Sequence, residues 1–452
     1  MLKHTAEQLT FDFLPHSPVV VQSHSGQIST DAGLLPIRQF DQRWRYTQRL
    51  AACLDERRRE PRHTLMQMLR QRLYGILADY ADCNDHDTLR DDPVFKLIAD
   101  KRPDDAPLAS QPTLSRFENG VTSAELQNLL SFTLDTGIQR LRHKHAGTLP
   151  EQVTLDLDQT DDPTHGQQQL TLFHGYYGQY QYLPLIISEP TTRHILLAWL
   201  RPGTLHPSKG ADEDLLRVAA KLRAVRPDVK IHVRADADFG VPTMLDGCEN
   251  HGFSYTFGLR SNAVLKRLAQ PLMDKVMRRY ARTGVKQRLF MCFRYAAESW
   301  PHERTVVAKA ECHAGGTNLR FVITSLDVPG KRQARQTYDD YVQRGESEQR
   351  MDELKNGVHA DRLSCHRFKA NFLRLLLHTA SFNLLNALRD HAGLPNLLRR
   401  AQPGTWRSHV IKVAATIVQT TRRVLVSLAA QWPFAHLYHA VSRRALQSLP
   451  AP

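Results

Sequence analysis

The sequence predicts an α/β chain: a mixed sheet with flanking helices, interrupted by a β-rich insertion and bracketed by helical N- and C-terminal regions. Three observations predict it. Two distant segments alternate apolar and polar residues as half-buried strands do, and each ends in a pair of aspartates. Strand-like and helix-like periodicities alternate between them. Further on, Tyr341, Arg344, Glu348 and Lys355 fall at i, i+3, i+7 and i+14, which places all four on one narrow face of an α-helix turning about 100° per residue.

Residues 1–147 read as helical after an extended start. Leu65 to Tyr80 is apolar at i, i+3 and i+4, with Arg70 and Arg72 expected on its exposed side, and Ser123 to His143 is a second amphipathic run. Gln111 to Glu118 opens a helix after Pro112, in the manner of a helix-turn-helix unit. Arg57, Arg58 and Arg59 read more readily as a solvated helix end than as a phosphate contact.

In residues 148–261 the first strand points Val153, Leu155 and Leu157 to one face and Asp156 and Asp158 to the other. β-Rich runs follow at Gln168 to Phe173, Gln181 to Ile187 and Ile195 to Leu200. A helix over Asp212 to Ala224 carries acids in its first turn and has Pro227 beyond its end. The second acidic strand starts at Val229 and ends in Asp236 and Asp238. A helix near Val241 to His251 and a strand from Phe253 to Leu259 complete the run. The order β-β-β-α-β-α-β, closed by a last helix over residues 336–365, is that of a ribonuclease H-like domain. Its first and fourth strands lie side by side, so Asp158 and Asp236 are expected to meet with Glu348 above them. In that last helix Met351, Leu354 and Val358 face the core, Asp352 lies near the polar stripe, and Glu346 and Glu353 point away from it. Carboxylates at strand ends are costly without partners, and three such sites suggest a shared divalent cation.

The insertion, residues 262–335, holds strand-like segments at Gln287 to Tyr295, Arg304 to Cys312 and Leu319 to Ser325, with Gly315-Gly316 at a turn. Trp300 suits either a small core there or stacking on a displaced base. Residues 366–452 form the basic region. Phe368 to Leu388 and Val410 to Leu428 have helical apolar spacing, with Arg399, Arg400, Arg407, Lys412, Arg422 and Arg423 assigned to polar faces.

Charge supports a polyanionic partner. The chain carries 60 Lys and Arg against 46 Asp and Glu, a net of +14, and from Arg362 onward 13 basic residues face the single acid Asp390. Binding of nucleic acid by such a surface weakens steeply with salt. No apolar span of about 18 residues and no signal peptide is evident, which argues for a cytoplasmic protein without membrane association. Six scattered cysteines without a C-x-x-C pair argue for reduced thiols rather than disulfides or zinc.

With these motifs the chain resembles the DDE transposases of bacterial insertion sequences, in the branch marked by Y-x2-R-x3-E-x6-K, which Tyr341, Arg344, Glu348 and Lys355 match at every position. Asp158-Gln159-Thr160 is similar to the family's D-x-T, and Asp236 to Phe239 to its D-x-x-[FY]. Asn84 to Asp87, Arg90 to Phe95 and Ser110 to Glu118 look like N-terminal blocks of one subgroup. The resemblance implies that Asp158, Asp236 and Glu348 are catalytic and bind magnesium, with manganese as a substitute. It favours Asp158 over Asp156 and Asp236 over Asp238, between which parity alone does not choose. It further implies that Tyr341, Arg344 and Lys355 contact DNA phosphates. Double-stranded DNA, as terminal inverted repeats and target, is the implied partner of a homodimer, and the implied reaction is cleavage followed by joining of 3′-hydroxyl ends. The alternatives are a catalytically inactive DNA-binding derivative and a nuclease that cuts without joining.

Overall fold

The computed structural model describes residues 9–11, 19–21, 26–391 and 393–447. Its centre is an eight-stranded mixed sheet. In chain order the strands are β1 (Gln152–Gln159), β2 (Leu185–Glu189), β3 (His194–Trp199), β4 (Lys230–Ala235), β5 (Ser254–Leu259), β6 (Gln287–Tyr295), β7 (Arg304–His313) and β8 (Gly316–Thr324). The spatial order is β6-β7-β8-β5-β4-β1-β2-β3. β1, β4 and β5 run parallel, while β2 is antiparallel to both β1 and β3. The order 3-2-1-4-5 with its second strand reversed is the ribonuclease H-like wiring that the sequence predicts.

The central strands form because their inward positions are apolar and often β-branched: Val153, Leu155, Leu157, Ile231 and Val233 are all buried. The connecting helices Ala211–Val225 and Pro242–Asn250 start and stop within a residue of expectation. The second core strand does not. Instead of Gln168 to Phe173, the sheet takes Leu185–Glu189, every residue of which is buried. The earlier run instead contributes Leu172–His174 to a small separate sheet with Asp162–Pro163 and Gln179–Tyr182. Its Leu172 and Phe173 stay exposed, so alternation there marks a surface hairpin.

Segment 262–335 holds its three strands and, unexpectedly, a helix, Ala263–Thr283. Asn262 caps that helix, and Leu265, Ala269, Leu272, Met273 and Val276 form its buried stripe against β6 and β7. Pro271 within it and a dense run of cations obscured the periodicity. β8 pairs antiparallel with β5, so this hairpin continues the main sheet. Trp300 packs edge-on against Tyr295, with ring centroids 5.3 Å apart, and closes the small core beneath the helix.

The Phe368–Arg389 helix is buried along nearly its whole length between β3 and the helices Leu65–Leu77 and Ser123–Lys144. The C-terminal expectation needs correction from there on. Val410 to Leu428 is not helical: after a π-helical turn, Arg407–Ile411, it forms the hairpin Ala415–Gln419 and Val424–Leu428, and the first of these strands pairs with Gln27–Ser29. Ala415 and Ile417 are buried while Thr416 and Val418 are exposed, a period of two carried by β-branched residues. Arg407 is buried, donating to the carbonyls of Leu77 and Gly357, and Lys412 bonds Asp31 at 2.8 Å, so both serve the fold rather than an open polar face. Arg399, Arg400, Arg422 and Arg423 are exposed.

Arg70 and Arg72 are also buried, against expectation. A buried cation persists only with close partners. Arg70 bonds Thr47 and Asp100. Arg72 bonds Glu118 at 2.8 Å, and Arg374 of the central helix bonds the same carboxylate at 2.7 Å. Arg57, Arg58 and Arg59 lie in a loop, where Arg57 reaches Glu125 at 2.6 Å and Arg58 reaches Glu56. All six cysteines are free. Among the described residues no helix is long and apolar enough to cross a membrane.

Burial would raise the Glu118 carboxyl, but Arg72 and Arg374 hold it down to about 2. A depressed carboxylate contributes stability that is present above its unfolded value of 4.5 and is lost as pH falls toward 2. Glu118→Gln should therefore cost about 3–5 kcal/mol at neutral pH, by leaving two buried guanidinium groups short of a counter-charge. Its urea unfolding free energy should also depend less on pH between 2 and 4.5 than that of the parent.

Candidate active site

The site is built on the register of two parallel strands. Arg234 of β4 lies opposite Asp156 of β1. Asp156 is fully buried and doubly satisfied: Arg234 binds it through Nε at 2.7 Å and Nη2 at 3.0 Å, and Arg350 binds it through Nη2 at 2.6 Å. Two residues further along, the same register brings Asp236 level with Asp158 where pairing of β1 and β4 has ended. Local amides fix both carboxylates. Gln159 N–H donates to Asp158 Oδ1 at 3.0 Å, and Asp238 N–H donates to Asp236 Oδ1 at 2.9 Å. Asp238 itself turns outward to ion-pair with Arg260.

The last helical segment departs from the continuous helix that the spacing predicts. Helix Lys331–Val342 stops, Gly345–Asp352 begins after a break, and Glu353–Gly357 is a π-helical turn. Gly345, a poor helix former, sits at the break, where Arg344 N–H donates to Tyr341 C=O. The break lets this segment serve two directions at once. Arg350 drives inward to Asp156, while Glu348 stays exposed over the cleft. Met351, Leu354 and Val358 are buried as expected. Glu353 points away from the cleft to bond Arg389 at 2.7 Å, and Asp352 accepts from Asn356.

The signature residues converge, though not as one stripe. Arg344 bridges two of the acids, through Nη1 to Asp158 Oδ2 at 3.3 Å and Nη2 to Glu348 Oε1 at 2.8 Å. The Tyr341 ring lies 5.8 Å from that guanidinium, and its hydroxyl rests on β5 at Gly258. A Cβ at Gly258 would fall 2.8 Å from the hydroxyl and as close to Ala237 N, so only glycine admits this approach. Lys355 binds Asp161, through the carboxylate at 2.9 Å and the backbone oxygen at 2.7 Å, on the loop leaving β1.

Burial pushes the Asp158 carboxyl up to about 7; Arg344 opposes the rise, and the charges of Asp236 and Glu348 add to it. Burial raises Asp236 as well, against the pull of the Asp238 amide that donates to it. Asp158 and Asp236 thus form a half-shielded acid pair with too little positive charge around them. Among the described residues no group of three or more His, Cys, Asp or Glu is drawn together closely enough to hold a metal ion, and Arg344 stands between Asp158 and Glu348. Sequence reasoning missed Arg234, Arg350 and Asp161 as partners. The signal for Arg234 was present, since it shares Asp236's parity and falls opposite Asp156 once the strands are aligned. Also missed was the small sheet after β1, which presents Phe173, Tyr176 and Tyr180 to solvent.

The two aspartates of β1 should behave oppositely on mutation. Asp156→Asn strands two buried arginines and should cost about 3–5 kcal/mol in urea unfolding. Asp158 is raised above its unfolded value of 3.8, so its contribution is complete below pH 3.8 and is lost as pH rises through about 7. At pH 8 in cation-free buffer, Asp158→Asn should melt no lower than the parent.

Among solved structures the chain is similar to a piggyBac transposase in its synaptic complex with hairpin DNA, at 14% identity, covering 80% of this chain and 77% of that one with a TM-score of 0.39. It is also similar to the Mos1 mariner paired-end complex with Mn, at 14% identity, covering 53% and 72% with a TM-score of 0.17. No curated protein matches it. The family model described as transposase DDE domain group 1 matches residues 11–451, nearly the whole chain, and the protein therefore belongs to that family of DDE transposases.

Proposed function

We propose that this transposase cleaves DNA at the terminal inverted repeats of an insertion sequence and joins the freed 3′-hydroxyl ends to target DNA, with Asp158, Asp236 and Glu348 as its metal-binding acids. One observation carries the reading. Asp158 and Asp236 stand level at the ends of adjacent parallel strands, and burial leaves Asp158 reluctant to hold its charge, whereas the neighbouring Asp156 is already neutralised by two arginines. Two oxygen donors short of counter-charge suit a hard divalent cation, magnesium or manganese. Glu348 is exposed and, among the described residues, bonds Arg344, so it can swing inward once that bridge opens.

When bound, a pair of such ions supplies Lewis-acid activation of the attacking oxygen and charge stabilisation of the leaving one. The chain's own residues do the rest. Arg344, released from Asp158 and Glu348, presents a planar guanidinium to a phosphate. Tyr341, pinned on Gly258, orients that guanidinium. Lys355 holds the loop beyond β1 through Asp161 until a phosphate competes for it. Two copies acting on two DNA ends follow from the same reading.

The decisive assay incubates the purified protein with magnesium and labelled inverted-repeat DNA taken from the sequence flanking its reading frame. Strand-transfer product supports the proposal, cleavage alone identifies a nuclease, and binding without cleavage identifies an inactive derivative. Glu348→Ala should abolish cleavage and joining while leaving DNA affinity within about threefold, a change under 1 kcal/mol. Manganese should raise the melting temperature of the parent at pH 8 but not that of Asp158→Asn or Asp236→Asn. An equal rise in all three would remove these acids from the metal site.

A further inference from the structure

The Ala263–Thr283 helix lies on the sheet through one face only. Its buried side chains, Leu265, Ala269, Leu272 and Val276, centre on one direction. At 100° per residue, Arg267, Lys275, Arg278 and Arg282 fall within an arc of about 80° whose centre lies about 140° from the buried direction. All four are exposed, and none makes an ion pair among the described residues. The helix has a single acid, Asp274, which is occupied with Gln270 at 2.8 Å. Four unneutralised cations aligned along one edge repel one another, and no structural need of the fold accounts for them.

The position of the helix matters as much as its charge. It starts three residues beyond Arg260, which is ion-paired with Asp238 at the rim of the acid pair. From there it runs about 30 Å, at 1.5 Å per residue. That length covers about nine base pairs of duplex at about 3.4 Å of rise each, nearly one turn, so the stripe meets phosphates bordering a groove rather than one continuous strand.

We infer that this outward stripe is a docking rail for the backbone of duplex DNA leading into the acidic cleft. The inference rests on the proposed DNA-processing function and adds a surface to it. The stripe reads charge rather than sequence, because its members are flexible cations on an exposed helix face and the polar pair beside them, Gln270 and Asp274, bond each other. Its role is to hold the duplex on the side of the cleft away from β1.

The test compares the parent with the quadruple variant R267A/K275A/R278A/R282A, using a fluorescent 30-base-pair duplex of arbitrary sequence. Affinity is measured from 50 to 200 mM salt. Each phosphate that the variant no longer neutralises should flatten the slope of log affinity against log salt by about 0.9. A fall of two units or more, with an unchanged melting temperature, supports the rail, and a smaller fall overturns it. If the parent itself fails to bind the duplex, the broader functional proposal fails instead. If the parent binds and the variant keeps its slope, only the helix assignment is lost.

Discussion

Everything at the cleft depends on Asp156, a strand-end acid that has no metal-binding role in the proposed mechanism. Its carboxylate has no access to solvent and joins three elements: β1 that carries it, β4 through Arg234, and the Gly345–Asp352 segment through Arg350. Arg234 also donates to the backbone oxygen of Asp340 at 2.7 Å, tying in the preceding helix. The cation that acts on the Asp158–Asp236 pair itself is Arg344, which opposes the upward push of burial on both carboxyls.

The remainder of the architecture holds this clasp rigid. The Phe368–Arg389 helix passes behind the sheet and binds the N-terminal helices through the buried Arg72–Glu118–Arg374 chain. Gln27–Ser29 pairs with Ala415–Gln419, so segments from opposite ends of the sequence share a sheet. The β6-β7-β8 hairpins give β5 a partner on its otherwise open side, which removes an edge prone to pairing with other chains.

Much of this was legible in the sequence because the relevant signals are local. Strand parity placed Asp156 with Asp158 and Asp236 with Asp238, and the order of elements placed the two strands together. What the sequence hid was long-range pairing. Arg70 and Arg72 look like solvent-facing cations on an amphipathic helix, and nothing nearby announces that Glu118 and Arg374 will enclose one of them. Val410 to Leu428 carries apolar residues at spacings that serve a helix or a strand, and only pairing with Gln27–Ser29 decides between them. The Y-x2-R-x3-E-x6-K spacing suggested one uninterrupted helix. The break at Gly345 and the π-helical turn show the same spacing serving a bent segment, with Arg344 bridging the acids and Lys355 anchored elsewhere.

The central position of the Phe368–Arg389 helix constrains the order of assembly. A ribosome makes the ribonuclease H-like strands long before it makes the helix that fills the space behind them. At about 5–20 residues per second, more than ten seconds separate β1 from its final support. During that interval β3 and the Ser123–Lys144 helix can cover each other but lack the helix that packs on both. The packing behind β3 therefore waits on a helix made well after the strands it supports.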